Sequence, residues 1–271
     1  MNILLFSALI FSFSICTASL VESINIIGND HTQNRIILRE IQHPIPGEYD
    51  FTLSLEDRNR IYNLGLFSTV EIKQIDSFYT VFLVETFRFY PIPLLDHNEA
   101  KGWSYGGGIA FLNFRGLNQK LIFGSQIGKE NTYFLSFRDP WITGDHVSLS
   151  GSVGQVSWEN PFHSYKYKGR GFSIGTGFYK KKFHKFNTSI GFTYSTIDTS
   201  DINAAILEKY ENIPLNYKYI RGKFTYRYDT RDIYLDPTVG SLTTLFLKPK
   251  LSFGQSENYH LFLFEYLKYF K

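Results

Sequence analysis

Apolar and polar residues alternate with a period of two through most of the chain beyond Trp103. The stretch WSYGGGIAFLN places Trp103, Tyr105 and Ile109 on one face and Gly106 and Gly108 on the other. HVSLSGSV and FNTSIGFTYST repeat this arrangement. Strict alternation over such lengths predicts β-strands. We predict nine of them, at 103–113, 119–127, 132–138, 146–155, 170–179, 186–197, 219–229, 241–253 and 258–270.

The two faces of these strands differ in a way that favours a membrane barrel. One face is aliphatic and aromatic, and the other carries mainly Ser, Gly and Thr. A soluble sandwich is the alternative, but its polar face would meet bulk water and carry Lys, Glu and Arg. Small polar residues suit the lumen of a barrel whose outer face meets lipid. Aromatic residues make up 18% of the chain, which supports the same interpretation.

The residues before the strands have a different pattern, with a helical period in two places. VESINIIG alternates and ends at a Gly-Asn turn signal. Thr32 is the expected N-cap of a first helix, and a second helix is predicted at about 53–64, ended by Gly65 in the left-handed conformation. LFSTVEIKQI and YTVFLVET follow as two strands. The predicted order over 21–86 is therefore β-α-α-β-β.

The first twenty residues have the composition of a secretory signal peptide. An apolar run from Ile3 to Ile15 precedes Cys16 and Ala18, which fit a cleavage site of small residues. A membrane anchor is the alternative, but the run is shorter than the ~18 apolar residues of a spanning helix. Cys16 is the only cysteine, so a processed chain would have no disulfide and no thiol nucleophile. The net charge of +3 argues against nucleic-acid binding.

The stretch YDTRDIYLDPTVGS is predicted to be a turn between two strands. Asp before Pro, followed by Gly where φ can be positive, is turn chemistry. A catalytic role is disfavoured because no His, Ser or Lys is placed with the acids as nucleophile or base; a calcium site remains an alternative. The residues assigned to this structural turn motif are Asp229, Arg231, Asp232, Asp236, Pro237 and Gly240.

The lengths of the connections predict the orientation of the strands. The fourth and sixth connections between the nine strands, around 156–169 and 198–218, are expected to be the longest and so to share one side. The odd connections then lie on the other side with the N-terminal module. The chain must therefore cross the membrane once between the module and Trp103, and Phe87–His97 is the only candidate for that strand. Its two prolines predict a short, irregular strand.

Several motifs resemble one family of outer-membrane proteins. IYNLGLFSTVEIKQI and INIIGND are similar to a POTRA domain. SFRDPWITGDHVSLSGSV, PIPLLDHNEAKGWSYGGGI and YDTRDIYLDPTVGS resemble barrel segments of the BamA/TamA outer-membrane assembly factors, and they occur in family order. The chain has fewer strands than that family's barrel and lacks its Val-Arg-Gly-Phe or Val-Arg-Gly-Tyr motif. We therefore expect a truncated family member.

The resemblance implies a fold and a location. The expected fold is an α+β POTRA domain (β-α-α-β-β) followed by an incomplete antiparallel transmembrane β-barrel. The expected segments are a signal peptide at 1–20, a POTRA domain at 21–86 and the N-terminal part of the barrel at 87–271. The resemblance places the barrel in a bacterial outer membrane and the POTRA domain in the periplasm.

The resemblance also implies a function without covalent chemistry, cofactor or metal. In POTRA domains the penultimate strand accepts an extended peptide by strand addition, and the barrel would template the client into lipid. Expected partners are unfolded outer-membrane proteins, outer-membrane lipids and accessory lipoproteins. The alternatives are a structural or surface-antigen barrel and a translocation pore of the two-partner secretion type. The backbone positions predicted to bind peptide are Ser68, Thr69, Val70, Glu71, Ile72, Lys73, Gln74 and Ile75.

Overall fold

The computed structural model describes residues 20–99, 102–143, 146–162, 165–200, 202, 215–254 and 257–270. Within these ranges the chain forms a small α+β module followed by a large antiparallel sheet. Residues 1–19 of the predicted signal peptide lie outside the described residues, and the remaining one, Leu20, belongs to a short strand. No helix in the described part of the chain is both long and apolar enough to cross a membrane.

The module contains two helices and five strands, of which two strands have only two residues each. The helices are α1 (Asn34–Leu38) and α2 (Phe51–Tyr62). The strands are β1 (Leu20–Val21), β2 (Ser23–Ile27), β3 (Gly47–Glu48), β4 (Phe67–Ile75) and β5 (Phe78–Glu85). Without the two short strands, the order is strand, helix, helix, strand, strand.

Helix boundaries in the module follow local capping chemistry. Asp50 caps α2, where its side chain accepts hydrogen bonds from the backbone N–H of Thr52 and Leu53. Gly65 has a φ of +69°, as expected for the residue that ends a helix. The expectation that Thr32 caps α1 is wrong. Gln33 occupies that position, and Thr32 is buried with its hydroxyl bonded to Asn113 of the large sheet.

The module's sheet has the order β2-β5-β4, so β4 lies at an edge. β2 runs parallel to β5 and β4 runs antiparallel to it. The helices cover one face, and the core between them contains Ile37, Ile61, Val70, Tyr79 and Val81.

A buried carboxylate organises this core. Asp57 of α2 is fully buried and accepts hydrogen bonds from the backbone N–H of Gln42 and His43 and from the Tyr79 hydroxyl. It also pairs with Arg60 one turn further along the helix. Burial raises the pKa of Tyr79 far above its ordinary range, so its hydroxyl remains a donor.

The large sheet has ten strands, each paired with its neighbours in sequence. It runs from β6 at one edge to β15 at the other. The strands are β6 (Phe89–Asn98), β7 (Gly102–Phe114), β8 (Gln119–Gly128), β9 (Glu130–Asp139), β10 (Ser148–Glu159), β11 (Lys166–Lys180), β12 (His184–Asp198), β13 (Asn216–Asp229), β14 (Gly240–Phe253) and β15 (Tyr259–Tyr269). The nine strands predicted from alternation are all present, mostly longer than predicted.

β6 is the tenth strand, and the prediction that it is short and irregular is wrong. It pairs with β7 in one continuous register from Phe89–Phe111 to Asn98–Gly102. The Leu112 N–H donates to the Arg88 carbonyl, so the even positions of β6 bond to β7. Pro91 and Pro93 occupy odd positions, which point to the free edge. Their missing N–H groups therefore interrupt no bond within the sheet.

The strand registers separate the two faces of the sheet into rows. One row crosses six strands with only apolar residues, and the adjacent row on the other face carries small residues and then two cations. The apolar row is Leu135, Val153, Phe172, Phe192, Ile220 and Leu251. The second row is Ser136, Ser152, Ser173, Gly191, Arg221 and Lys250. A groove spans this second face from β9 to β15, so we call it the concave face.

Connections between strands agree with the predicted sidedness but not with one predicted length. The connections at 115–118, 140–147, 181–183 and 230–239 all lie at the module end of the sheet. The fourth connection is only 160–165, shorter than 230–239, so the expectation that it is among the two longest is wrong. Strands β10 and β11 extend into the predicted connection, where Trp158 and Tyr167 form a cross-strand stacked pair with ring centroids 5.2 Å apart.

We predict that Asp57→Ala destabilises the module by about 3–5 kcal/mol. The buried Tyr79 hydroxyl and the backbone N–H groups of Gln42 and His43 lose their acceptor, and Arg60 keeps only its ion pair with Glu56. Native-state hydrogen exchange of the Val81 and Leu83 amides in the whole chain measures this loss. Glu71→Ala is the control, since its ion pair with Lys73 is exposed and screened by solvent, so its loss should leave the exchange rates nearly unchanged. Equal exchange rates in the two variants would contradict the assigned role of Asp57.

Candidate functional site

The predicted peptide-binding strand is an exposed edge in the structure. Side chains at 69, 71, 73 and 75 are exposed, Val70 is buried, and Ile72 and Gln74 are half-buried against the core. The register with β5 shifts between Phe67 and Thr69, so Ser68 is a bulged residue rather than part of a regular ladder. The regular part of the edge is therefore Thr69–Ile75.

The direction of the backbone groups on β4 follows from one contact. The Val70 carbonyl accepts a hydrogen bond from Nε of Arg58 on α2, so it points away from β5. Because orientation alternates along an antiparallel ladder, the backbone groups of Ile72 and Gln74 point the same way. These residues turn their side chains toward the core and their backbone toward the free edge.

In the turn motif, Asp229 is the centre of a buried ion cluster. It is 4% exposed and lies 2.8 Å from Nζ of Lys185 and 2.8 Å from Nε of Arg231. The Lys185 ammonium also stands 3.8 Å from the centre of the Tyr234 ring. Two cations around one carboxylate leave no unpaired negative charge. The expectation that no lysine is placed with these acids is wrong, because Lys185 of the neighbouring strand pairs with Asp229.

Asp232 belongs to a separate part of the same turn. Its carboxylate accepts hydrogen bonds from the Thr238 hydroxyl and from the backbone N–H of Thr238 and Val239. Burial raises the pKa of Asp232, but these hydrogen bonds outweigh it and lower the pKa to about 2. Gly240 closes the turn with a φ of +107°, where a Cβ would lie 2.4 Å from the Thr230 carbonyl oxygen.

The acids of the motif do not converge on a common point. Asp229 binds cations, and Asp232 accepts hydrogen bonds from backbone amides. Asp236 is exposed, and the next residue, Pro237, is half-buried. In the described part of the chain, no group of three or more His, Cys, Asp or Glu side chains could hold a metal ion.

Hydrogen bonds join the turn to the module. Asn63, the residue after α2, donates from its side-chain amide to the Asp232 carbonyl and accepts from the Tyr234 N–H, at 3.0 and 2.8 Å. The same helix carries Arg58 on the edge of β4. Helix α2 thus links the two predicted sites, which do not contact each other directly in the hydrogen bonds of the described residues.

This junction also includes a contact at each of the remaining module-side connections. The Gln33 N–H donates to the Gly116 carbonyl at 3.0 Å. The Arg39 guanidinium stacks 3.7 Å from the centre of the Trp141 ring, and burial lowers the pKa of Arg39 to about 10. Lys182 pairs with Glu56 of α2 at 2.8 Å.

Lys185 of the ion cluster and the junction residues Asn63 and Arg39 were not predicted from the sequence. Lys185 had a usable signal, because it is a cation on the face of β12 that otherwise carries small polar residues. Asn63 and Arg39 had none, since their partners lie far away along the chain.

A family model described as the Omp85 superfamily domain matches residues 113–271, which is more than half of the chain. The chain belongs to the Omp85 superfamily. This membership supports an outer-membrane insertion or translocation barrel as the general class of the protein. A search of curated protein sequences finds no match to the chain.

Solved structures show the same fold. BamA from Haemophilus ducreyi lacking POTRA domains 1–3 is 22% identical, with a TM-score of 0.58 over 85% of this chain and 48% of that chain. CdiB from Acinetobacter baumannii is 12% identical, with a TM-score of 0.51 over 87% of this chain and 46% of that chain. The chain thus spans about half the length of the solved structures that it matches.

We predict that the Asp232 carboxyl titrates near pH 2 in the folded protein, well below its ordinary pKa of 3.8. Because the pKa is lowered on folding, the stabilisation is complete above the ordinary pKa and is lost as the pH falls through about 2. The carbon-13 chemical shift of the carboxyl group measures this midpoint. A midpoint at the ordinary value in wild type, or an unchanged one in Thr238→Val, would contradict the bonding described.

We predict that Asn63→Ala loosens the junction, because it removes two hydrogen bonds worth about 0.5–1.5 kcal/mol each. Spin labels at Lys73→Cys in β4 and Lys180→Cys in β11, with Cys16→Ser, report the distance between module and sheet. The distance distribution should broaden in Asn63→Ala. Asn59→Ala, one turn earlier on α2, should leave it unchanged, and broadening in both variants would count against a specific role for Asn63.

Proposed function

We propose that the chain is an outer-membrane protein assembly factor of the BamA/TamA type, without enzymatic activity. The N-terminal module captures an extended strand of an unfolded client protein, and the ten-stranded sheet templates its insertion into lipid. The observation that carries this proposal is the edge strand β4, whose outward backbone groups belong to a module held against the turns of the sheet.

The module's architecture supports its assignment as a POTRA domain at residues 21–86. It combines two helices with a three-stranded sheet in which the first strand is parallel to the last. The match to the BamA structure extends over 85% of the chain, more than residues 113–271 could supply. It therefore includes part of the chain that precedes the family match.

Strand addition at β4 uses groups that the fold leaves at the edge. Val70, Ile72 and Gln74 direct their backbone outward, and the exposed ion pair of Glu71 and Lys73 leaves the edge polar enough to resist aggregation. Main-chain hydrogen bonds supply affinity without regard to client side chains. This suits a protein with many clients.

The sheet supports a membrane location for residues 87–271. The face opposite the concave face carries exposed aromatic and aliphatic residues, including Phe172, Ile190 and Phe224, which are each more than half exposed. The ladders pair most of the backbone inside the sheet, as lipid requires. The module and the four turns that contact it would then lie in the periplasm.

We predict that Ile72→Pro impairs assembly more than Ile72→Ala. Both variants lose the packing of the side chain, but only proline removes the outward N–H. The assay is the folding of a client β-barrel in lipid vesicles that contain the full chain, followed by heat-modifiable migration. Loss of one main-chain hydrogen bond of about 0.5–1.5 kcal/mol should reduce client folding by about 2- to 12-fold.

The affinity of Ile72→Pro and Ile72→Ala for an extended peptide shows whether the defect in client folding arises at capture by β4. Hydrogen exchange of the core amides must be equal in the two variants, which shows that the module is folded in both. Vesicles in which the wild-type chain gives no client folding above the lipid background would favour a structural barrel or a secretion pore. Equal client folding with the two variants would remove β4 from the mechanism.

A further inference from the structure

Strands β13 and β14 carry a group of cations on the concave face of the sheet. Arg221 stands directly opposite Lys250 in the antiparallel register. Lys223 and Lys248 lie between that pair and the pair Phe224–Leu247. Like charges that face each other across two strands destabilise a sheet. Four cations placed this way need a compensating contribution from outside the pair of strands.

For Arg221, Lys223 and Lys248, the described part of the chain supplies little compensation. Arg221, Lys223 and Lys248 form no ion pair among the described residues. The polar contact of Arg221 is a hydrogen bond of 3.4 Å to the Thr193 hydroxyl. The Tyr219 ring lies between Arg221 and Lys250, 5.3 and 4.9 Å from its centre, which offsets the repulsion only in part.

Beside these cations the sheet forms an open groove of about 770 Å³. Gly191 and Ser173 continue the row of Arg221, and such small side chains leave room for a bound chain. Tyr259 and Leu261 of β15 border the groove on the other side. The surface is therefore basic along its centre, with apolar and aromatic contacts at its margin.

The spacing of the cations indicates the shape of the ligand. Arg221 and Lys223 are two residues apart on β13, as are Lys248 and Lys250 on β14. Residues at this interval on one face of a strand are separated by about 6.6–6.8 Å, the same interval as alternate side chains of an extended peptide. A lipid phosphate or a free phosphate would present one centre of charge and would use only part of this array.

We propose that Arg221, Lys223 and Lys248 bind an extended polypeptide segment that carries carboxylates on alternate residues. The inference rests on the proposed function, because it names a class of client: a strand whose polar face is acidic. Such a segment lies along β13 and β14 in the groove, pairs its carboxylates with the cations, and turns its other side chains toward Tyr259 and Leu261.

The test uses the full chain in detergent and two fluorescent peptides, one alternating Glu with Thr and one alternating Gln with Thr. Fluorescence anisotropy should show at least about tenfold tighter binding of the Glu peptide at low salt, and the difference should shrink at high salt. The triple variant Arg221→Gln, Lys223→Gln, Lys248→Gln should lose about tenfold in affinity for the Glu peptide.

The matched control is Lys168→Gln, Lys180→Gln, Lys218→Gln. These residues are exposed on the opposite face of the same sheet, so the variant removes equal charge without touching the groove. It should change the affinity by less than about twofold. Equal losses in the two triple variants, or equal binding of the Glu and Gln peptides, would overturn the proposal.

Two more measurements establish the chemical class of the groove's ligand and its relation to client folding. Phosphatidylglycerol vesicles that bind through the groove cations, with no binding of the Glu peptide, would replace the polypeptide by a lipid and overturn the inference. Client folding in vesicles distinguishes the inference from the proposed function. Acidic-peptide binding without client folding defeats only the proposed function, whereas normal client folding by a chain that does not bind the Glu peptide defeats only the inference.

Discussion

The structure depends on the antiparallel backbone hydrogen bonds that join ten strands in sequence order. Once each strand pairs with the next, the side-chain alternation of every strand is fixed relative to its neighbours. Apolar residues then form rows on one face, and small or charged residues form rows on the other. The same rule brings Arg221 opposite Lys250, an arrangement that neither strand would favour alone.

The ladder also determines where the module meets the sheet. Antiparallel strands return every second connection to the same end, so the turns at 115–118, 140–147, 181–183 and 230–239 lie together. Each of these turns contacts the module, through a hydrogen bond, a cation–π contact, an ion pair or the two bonds of Asn63. These contacts are spread over all four turns, so together they restrict the orientation of the module more than one contact at a single turn would.

Local pattern in the sequence accounts for what could be predicted. Period-two alternation located the strands, and Gly65 and Gly240 marked reversals because only glycine takes positive φ at little cost. Long-range contacts account for what could not. Thr32 has the chemistry of a cap, but burial against Asn113 gave it a different partner. Strand β6 is regular because Pro91 and Pro93 face its free edge. Their positions in the sequence do not show which edge they face, since this depends on the register with β7.

The prolines of β6 bear on how the two kinds of edge can work together. Both remove N–H groups from the free edge of the sheet, so a strand added there would find donors only toward the two ends of β6. The free edge of β4 has no proline and keeps its outward N–H groups at Val70, Ile72 and Gln74. Stable capture therefore suits β4, whereas pairing along β6 is weaker and easier to reverse. The proposed function requires that a client is held first and released later, and this difference between the edges is compatible with both steps.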